Sequence, residues 1–279
     1  MYISVRIRVV AATILLTVVY TLSKVDALNF SPVINNDLLT YLLKSLVIGI
    51  LAYVLALWVV SFKATGIKKV TVLLMPALSL FLFTLFSELS LYQIFGLKTA
   101  LIIVFLVIIF ATYCYFLLLN ANLLNLAHFE NIPLLKAAIT ANYIFSILDI
   151  YIFSIIIFSL NISIELRFII LLVLTFFFSF QSCWPAYNRL KDSVRMALAF
   201  AMFIILLAAS LLLWPIPVEL IALFISAFAY VFLGLALEKN EKIYKGLYFE
   251  YLLVIAIVAI FCIASANFGI NGSIFNLPF

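Results

Sequence analysis

The chain has 279 residues, of which 68% are hydrophobic and only 10% charged, and its mean hydropathy is +1.36. Soluble domains average about 45–50% apolar and about 25% charged residues, so this composition excludes a water-soluble globular protein. The net charge of +5 does not indicate nucleic-acid binding, because the lysines and arginines form short clusters between apolar runs, which is typical of membrane topology signals.

About nine apolar runs predict an all-α, polytopic transmembrane helix bundle. A spanning helix needs about 20 apolar residues, so these runs would use nearly the whole chain. We therefore expect a single integral membrane domain over residues 1–279 and no soluble domain. In chain order, the predicted spans cover about residues 5–23, 38–62, 70–92, 97–119, 133–160, 166–184, 194–214, 216–237 and 247–268.

The first span has two interpretations. Arg6 and Arg8 precede a long apolar run, and the sequence Val25-Asp26-Ala27 loosely matches a signal-peptidase site. Cleavage there would leave one span fewer and the same orientation. We favour a retained transmembrane helix, because the apolar run is long for a signal peptide.

Two later connections have distinctive sequences. The segment from Asn120 to Pro133 mixes leucines with asparagines, and it is compatible with either a short interfacial helix or an irregular loop. Between the seventh and eighth spans, Pro215 and Pro217 each lack a backbone donor and restrict the preceding residue. They predict a tight hairpin.

The distribution of positive charge predicts the orientation. One set of alternate connections holds twelve basic residues: Arg6, Arg8, Lys63, Lys68, Lys69, Lys136, Arg189, Lys191, Arg195, Lys239, Lys242 and Lys245. The opposite set holds four: Lys24, Lys44, Lys98 and Arg167. Cytoplasmic loops carry the excess of lysine and arginine. We therefore expect a multi-pass protein of the cell membrane, with its amino terminus in the cytoplasm and its carboxyl terminus outside.

Asp149 is the acid closest to the centre of a predicted span, and it marks a candidate site. Asn142 and Ser146 lie on the same helix face, seven and three residues earlier. A charged side chain at this depth costs about 2.5–3.5 kcal/mol on insertion scales, so it suggests a function by default. The stripe predicts either a proton, ion or substrate site or a hydrogen bond between helices made by a neutral acid. We favour the structural interpretation.

Lys44 and Glu88 form a second candidate site near the predicted outer ends of the second and third spans. Their similar depth permits an intramembrane ion pair. The alternative, which we favour, is that both side chains snorkel to the outer interface. Glu250 and Tyr251, near the inner end of the last span, read as interfacial residues.

Small residues predict where helices pack closely. Gly49, Ala52 and Ala56 share one face of the second span, and such faces let two backbones approach each other in lipid.

Catalytic and cofactor motifs are absent from the sequence. It contains no P-loop, GxGxxG, HExxH or GxSxG motif, and its three cysteines and one histidine form no metal-ligand pattern. We therefore expect no cofactor and no bound metal, and the sequence argues against an enzyme without deciding the matter.

Three functional classes remain. The favoured one is a non-catalytic subunit or scaffold of a membrane complex, with membrane lipids and other membrane proteins as its partners. One alternative is a transporter of a small solute or a lipid that uses Asp149. The least favoured is an intramembrane lipid-modifying enzyme, because no acid pair is placed to hold a divalent cation against phosphates.

Overall fold

The computed structural model describes residues 5–24, 37–60, 67–95, 100–127, 135–187, 190–238 and 245–266. Within these ranges the chain forms nine α-helices and no strand, and each helix is long and apolar enough to cross a membrane. Helices are the expected solution, because a segment in lipid must satisfy its backbone hydrogen bonds internally. The predicted all-α membrane fold is confirmed.

The nine described helices have bounds close to those predicted. They are α1 Val5–Lys24, α2 Asp37–Val59, α3 Ile67–Phe95, α4 Ala100–Ala127, α5 Leu135–Ser159, α6 Ile164–Tyr187, α7 Leu190–Leu211, α8 Val218–Glu238 and α9 Lys245–Ser265. The possible cleavage site at residues 25–27 lies outside the described residues.

The largest difference from the predicted bounds is at the end of α4. Residues 120–127 continue this helix, so the predicted interfacial helix or loop is wrong for these residues. The reason is packing: Ala121 and Leu124 are buried in a cluster with Val72 of α3 and Ala138 of α5. Residues 128–133, the rest of that segment, lie outside the described part of the chain.

The chain divides into two compact units, Met1–Ala141 and Asn142–Phe279. In the first unit α2 packs on α1 and α3, and α4 packs on α1 and α3. In the second unit α6 packs on α7 and α8, and α8 packs on α7 and α9. The single domain expected over residues 1–279 stays a prediction.

The small-residue face of α2 packs against α3. Ala52 and Ala56 are fully buried. A Cβ atom added at Gly49 would lie 3.1 Å from the Cβ of Phe81 and 3.2 Å from the carbonyl oxygen of Ala77. Even a methyl group would press on the α3 backbone here, so glycine lets the two backbones approach closely. The predicted packing face is confirmed.

A tight hairpin joins α7 to α8, as Pro215 and Pro217 predicted. The amide of Trp214 donates to the carbonyl of Leu211 at 3.0 Å, which closes the last turn of α7. The carbonyl of Pro217 accepts the amides of Leu220 and Ile221, each at 3.1 Å, and so begins α8. Proline is tolerated at a helix start because its missing N–H would have no partner there.

Candidate functional site

The polar stripe of α5 lies inside the second unit. Asn142, Ser146 and Asp149 recur at helical spacing on one face, and all three are fully buried. Within the helix, the hydroxyl of Ser146 donates to the carbonyl of Asn142 at 3.0 Å. A serine inside a helix can donate its hydroxyl in this way to the carbonyl four residues earlier.

Helix α6 supplies partners for this stripe. The side-chain amide of Asn142 donates to the carbonyl of Gln181 at 2.9 Å. One turn further along α5, the hydroxyl of Ser182 donates to Ser146 Oγ at 2.7 Å. These groups meet because Asn142 lies about two turns after α5 begins, and Gln181 lies about two turns before α6 ends.

The polar face of α6 has the same spacing as the stripe, and our sequence analysis missed it. Thr175, Ser179 and Ser182 follow each other at four and three residues, as do Asn142, Ser146 and Asp149. All three α6 residues are buried. The repeated spacing is visible in the sequence, but within this face it is Ser182 that bonds to the stripe, whereas the hydroxyl of Ser179 donates to the carbonyl of Ala197 in α7 at 3.4 Å. The structure therefore brings two buried polar faces into one unit.

One acceptor in the stripe has no donor. Among the described residues, Asn142 Oδ1 is buried and has no hydrogen-bond partner. A buried polar atom left in this state costs about 1–3 kcal/mol. Asp149 has an interaction partner of its own. The stripe thus combines groups that join α5 to α6 with one carbonyl oxygen that can still accept a bond.

Glu88 forms an ion pair in the first unit with Lys24, a residue that the sequence analysis did not connect with it. Its Oε1 lies 2.8 Å from Lys24 Nζ at the end of α1, and the two side chains are only 12% and 9% exposed. The predicted pair between Lys44 and Glu88 stays a prediction. Helix α1 brings Lys24 to Glu88, since the hydroxyl of Tyr20, one turn before Lys24, donates to Ser87 Oγ at 3.1 Å.

Lys44 is enclosed by protein. Its side chain is 5% exposed, and Nζ donates to the carbonyl of Ser23 at 3.4 Å. The snorkelling interpretation of this side chain stays a prediction. Lys24 in turn lies 5.4 Å from the centre of the Tyr20 ring, which is within cation–π range. This end of the first unit is therefore a charged junction between α1, α2 and α3.

Comparison with family models, with curated proteins and with solved structures finds no match for this chain. In the parts of the chain that the structure describes, no group of histidine, cysteine, aspartate and glutamate side chains is placed to hold a metal ion. What the stripe and the charged junction can do is therefore inferred from their geometry alone.

Proposed function

We propose that the chain is a non-catalytic subunit or scaffold of a membrane protein complex. The observation that carries the proposal is the closure of the α5 stripe by α6. A binding site for a transported solute needs a cavity that opens to water. On the polar face of α5, Asn142 and Ser146 instead bond to the carbonyl of Gln181 and the hydroxyl of Ser182 on α6. Polar side chains used in this way join helices to one another.

Its partners, on this proposal, are membrane lipids and other membrane proteins. Large apolar side chains cover the outer faces of several helices, such as Leu206, Phe249 and Leu252, each more than half exposed. Such faces suit hydrocarbon and equally suit an apolar helix of a partner. The cytoplasmic amino terminus and external carboxyl terminus are part of the proposal, supported by the charge bias of twelve to four.

Purification in a mild detergent tests the proposal. We expect the tagged chain to co-purify with a membrane protein at a fixed molar ratio, as measured by quantitative mass spectrometry. An unrelated polytopic protein, tagged and expressed at the same level, serves as the control. Recovery of the chain alone, both in detergent and in polymer-bounded native nanodiscs, would contradict the proposal.

A second candidate function is transport coupled to Asp149. One specific observation favours it, namely the buried Asn142 Oδ1 without a donor on the same face as Asp149. The unused carbonyl oxygen can accept a bond from a cation or from a protonated group of a solute, and it shares a helix face with the buried acid two turns away.

Asp149→Asn separates the two candidates. The amide keeps the size and hydrogen-bonding capacity of the neutral acid, so a subunit should retain its fold and its partner ratio. A transporter that uses Asp149 should instead lose its activity. The measurement is charge movement on solid-supported membranes, with amino acids, sugars and monovalent cations applied in turn.

Ser210→Ala is the matched control, because Ser210 is exposed and its hydroxyl donates to the carbonyl of Leu207 in the same helix. A response that is equal in wild type and Asp149→Asn excludes a role for Asp149 in transport. No response in wild type to any of these solutes contradicts the transport candidate and leaves the subunit proposal standing.

A further inference from the structure

A groove with a volume of about 420 Å³ runs along the second unit between α5 and α8. It lies on a different face of α5 from the polar stripe. Its lining consists of Tyr143, Ile144, Ile147, Leu148 and Tyr151 of α5 with Leu223, Ser226 and Tyr230 of α8. From Tyr143 to Tyr151 the groove follows about 12 Å of helix. One leaflet of the hydrocarbon core is about 15 Å thick, so the groove matches the length of a lipid chain.

A network of tyrosines fixes one end of this groove. The hydroxyl of Tyr143 donates to the carbonyl of Tyr230 at 2.7 Å. The ring of Tyr230 packs edge-on against Tyr251 of α9, with ring centres 5.3 Å apart. Gly234 leaves the space for this network, because a Cβ there would collide with the hydroxyl of Tyr251 and lie 3.2 Å from that of Tyr143. Helices α5, α8 and α9 are thereby held together at the groove end.

The same network places a carboxylate beside the groove. The hydroxyl of Tyr230, a lining residue, donates to Glu250 Oε1 at 2.7 Å, and Glu250 is exposed. A carboxylate accepts up to about four hydrogen bonds, so Glu250 keeps capacity for another donor. It lies about 7–8 Å along α9 from the helix start, within reach of the headgroup region.

We propose that this groove binds a phospholipid with a primary-amine headgroup, with an acyl chain between α5 and α8 and the ammonium on Glu250. The apolar lining selects a hydrocarbon chain, and the carboxylate selects a positive charge. A primary ammonium donates charge-assisted hydrogen bonds to a carboxylate. A choline headgroup has no N–H to donate, and a glycerol headgroup leaves the lipid with a net negative charge that Glu250 repels. The lipid comes from the leaflet at the end predicted to be cytoplasmic.

Native mass spectrometry of the full chain tests this proposal. The protein is released from detergent with equal amounts of phosphatidylethanolamine, phosphatidylcholine and phosphatidylglycerol of equal chain length. We expect the ethanolamine lipid to be retained with about tenfold preference, as a charged hydrogen bond provides. Glu250→Gln should abolish that preference, whereas Glu165→Gln should keep it, because Glu165 is an exposed acid in the first turn of α6. Equal retention of the three lipids by wild type overturns the proposal, as does an unchanged preference in Glu250→Gln.

A second variant tests the groove itself. Leu223→Trp replaces a groove-lining leucine by the larger tryptophan side chain. Leu223 is 36% exposed, so the buried core of the second unit is left unchanged. We expect it to lower retention of the ethanolamine lipid at least as much as Glu250→Gln does. Full retention by Leu223→Trp would place the lipid elsewhere on the protein and overturn the assignment to this groove. The test is independent of whether the chain is a subunit of a complex.

Discussion

Glu88→Leu is expected to lower the free energy of unfolding by about 3 kcal/mol, since removing one partner of a buried ion pair leaves the other charge poorly compensated. Breaking a buried ion pair usually costs about 3–5 kcal/mol. We expect the low end of this range because the Glu88 and Lys24 side chains are still 12% and 9% exposed. The measurement is SDS-driven unfolding in mixed micelles. The free energy of unfolding of Glu88→Gln should lie between those of wild type and Glu88→Leu, because the side-chain amide oxygen still accepts a hydrogen bond from Lys24.

The double variant Lys24→Leu with Glu88→Leu controls this experiment. Replacing both partners of a buried pair by apolar residues is often neutral or stabilising, so we expect it to recover most of the loss. Glu165→Leu, at an exposed position, should cost less than about 1 kcal/mol. A Glu88→Leu protein as stable as Glu165→Leu would show that the ion pair does not stabilise the first unit.

Gly49→Val should lower the free energy of unfolding by about 2–3 kcal/mol, the cost of forcing extra carbon atoms into a packed interface. Its Cβ alone would lie 3.1 Å from Phe81 Cβ and 3.2 Å from the carbonyl oxygen of Ala77, and the second contact is with backbone. Helix α3 would have to move away from α2 to admit the two methyl groups. The same SDS titration measures the effect.

Ile50→Val is the matched control for Gly49→Val. Ile50 is the next residue of the same helix and is 57% exposed, so shortening it should change stability by less than about 0.5 kcal/mol. Gly49→Ala, which adds only the Cβ, should have a smaller effect than Gly49→Val. Equal stability of Gly49→Val and Ile50→Val would mean that α2 and α3 do not approach as closely as described.

The sequence predicts the spans well because lipid imposes one simple rule. A segment in hydrocarbon has to be apolar and helical, so apolar runs map directly onto helices. The rule loses accuracy where a helix continues past the apolar run, as α4 does through residues 120–127. There the buried cluster around Ala121 and Leu124 depends on the neighbouring α3 and α5, and composition carries no information about neighbours.

Partners of polar residues were harder to predict than their positions. Asp149, Asn142 and Ser146 could be recognised as one face because their spacing is local. Lys24 was not recognised as the partner of Glu88, because nothing in the sequence tells which spans lie side by side. Ser182 belongs to a polar face of α6 that is visible in the sequence, but its bond to Ser146 required the structure.

The ion pair between Lys24 and Glu88 also has a consequence for the order of assembly. The two residues are 64 positions apart in the chain. At a synthesis rate of about 5–20 residues per second, Lys24 precedes its partner by about 3 to 13 seconds. During that time α1 can cross the bilayer, but its lysine has to remain in a hydrated environment. Final docking of α1 therefore waits until α3 has been made. The membrane insertion machinery has this time to act on α1 before the helix takes its final place in the bundle.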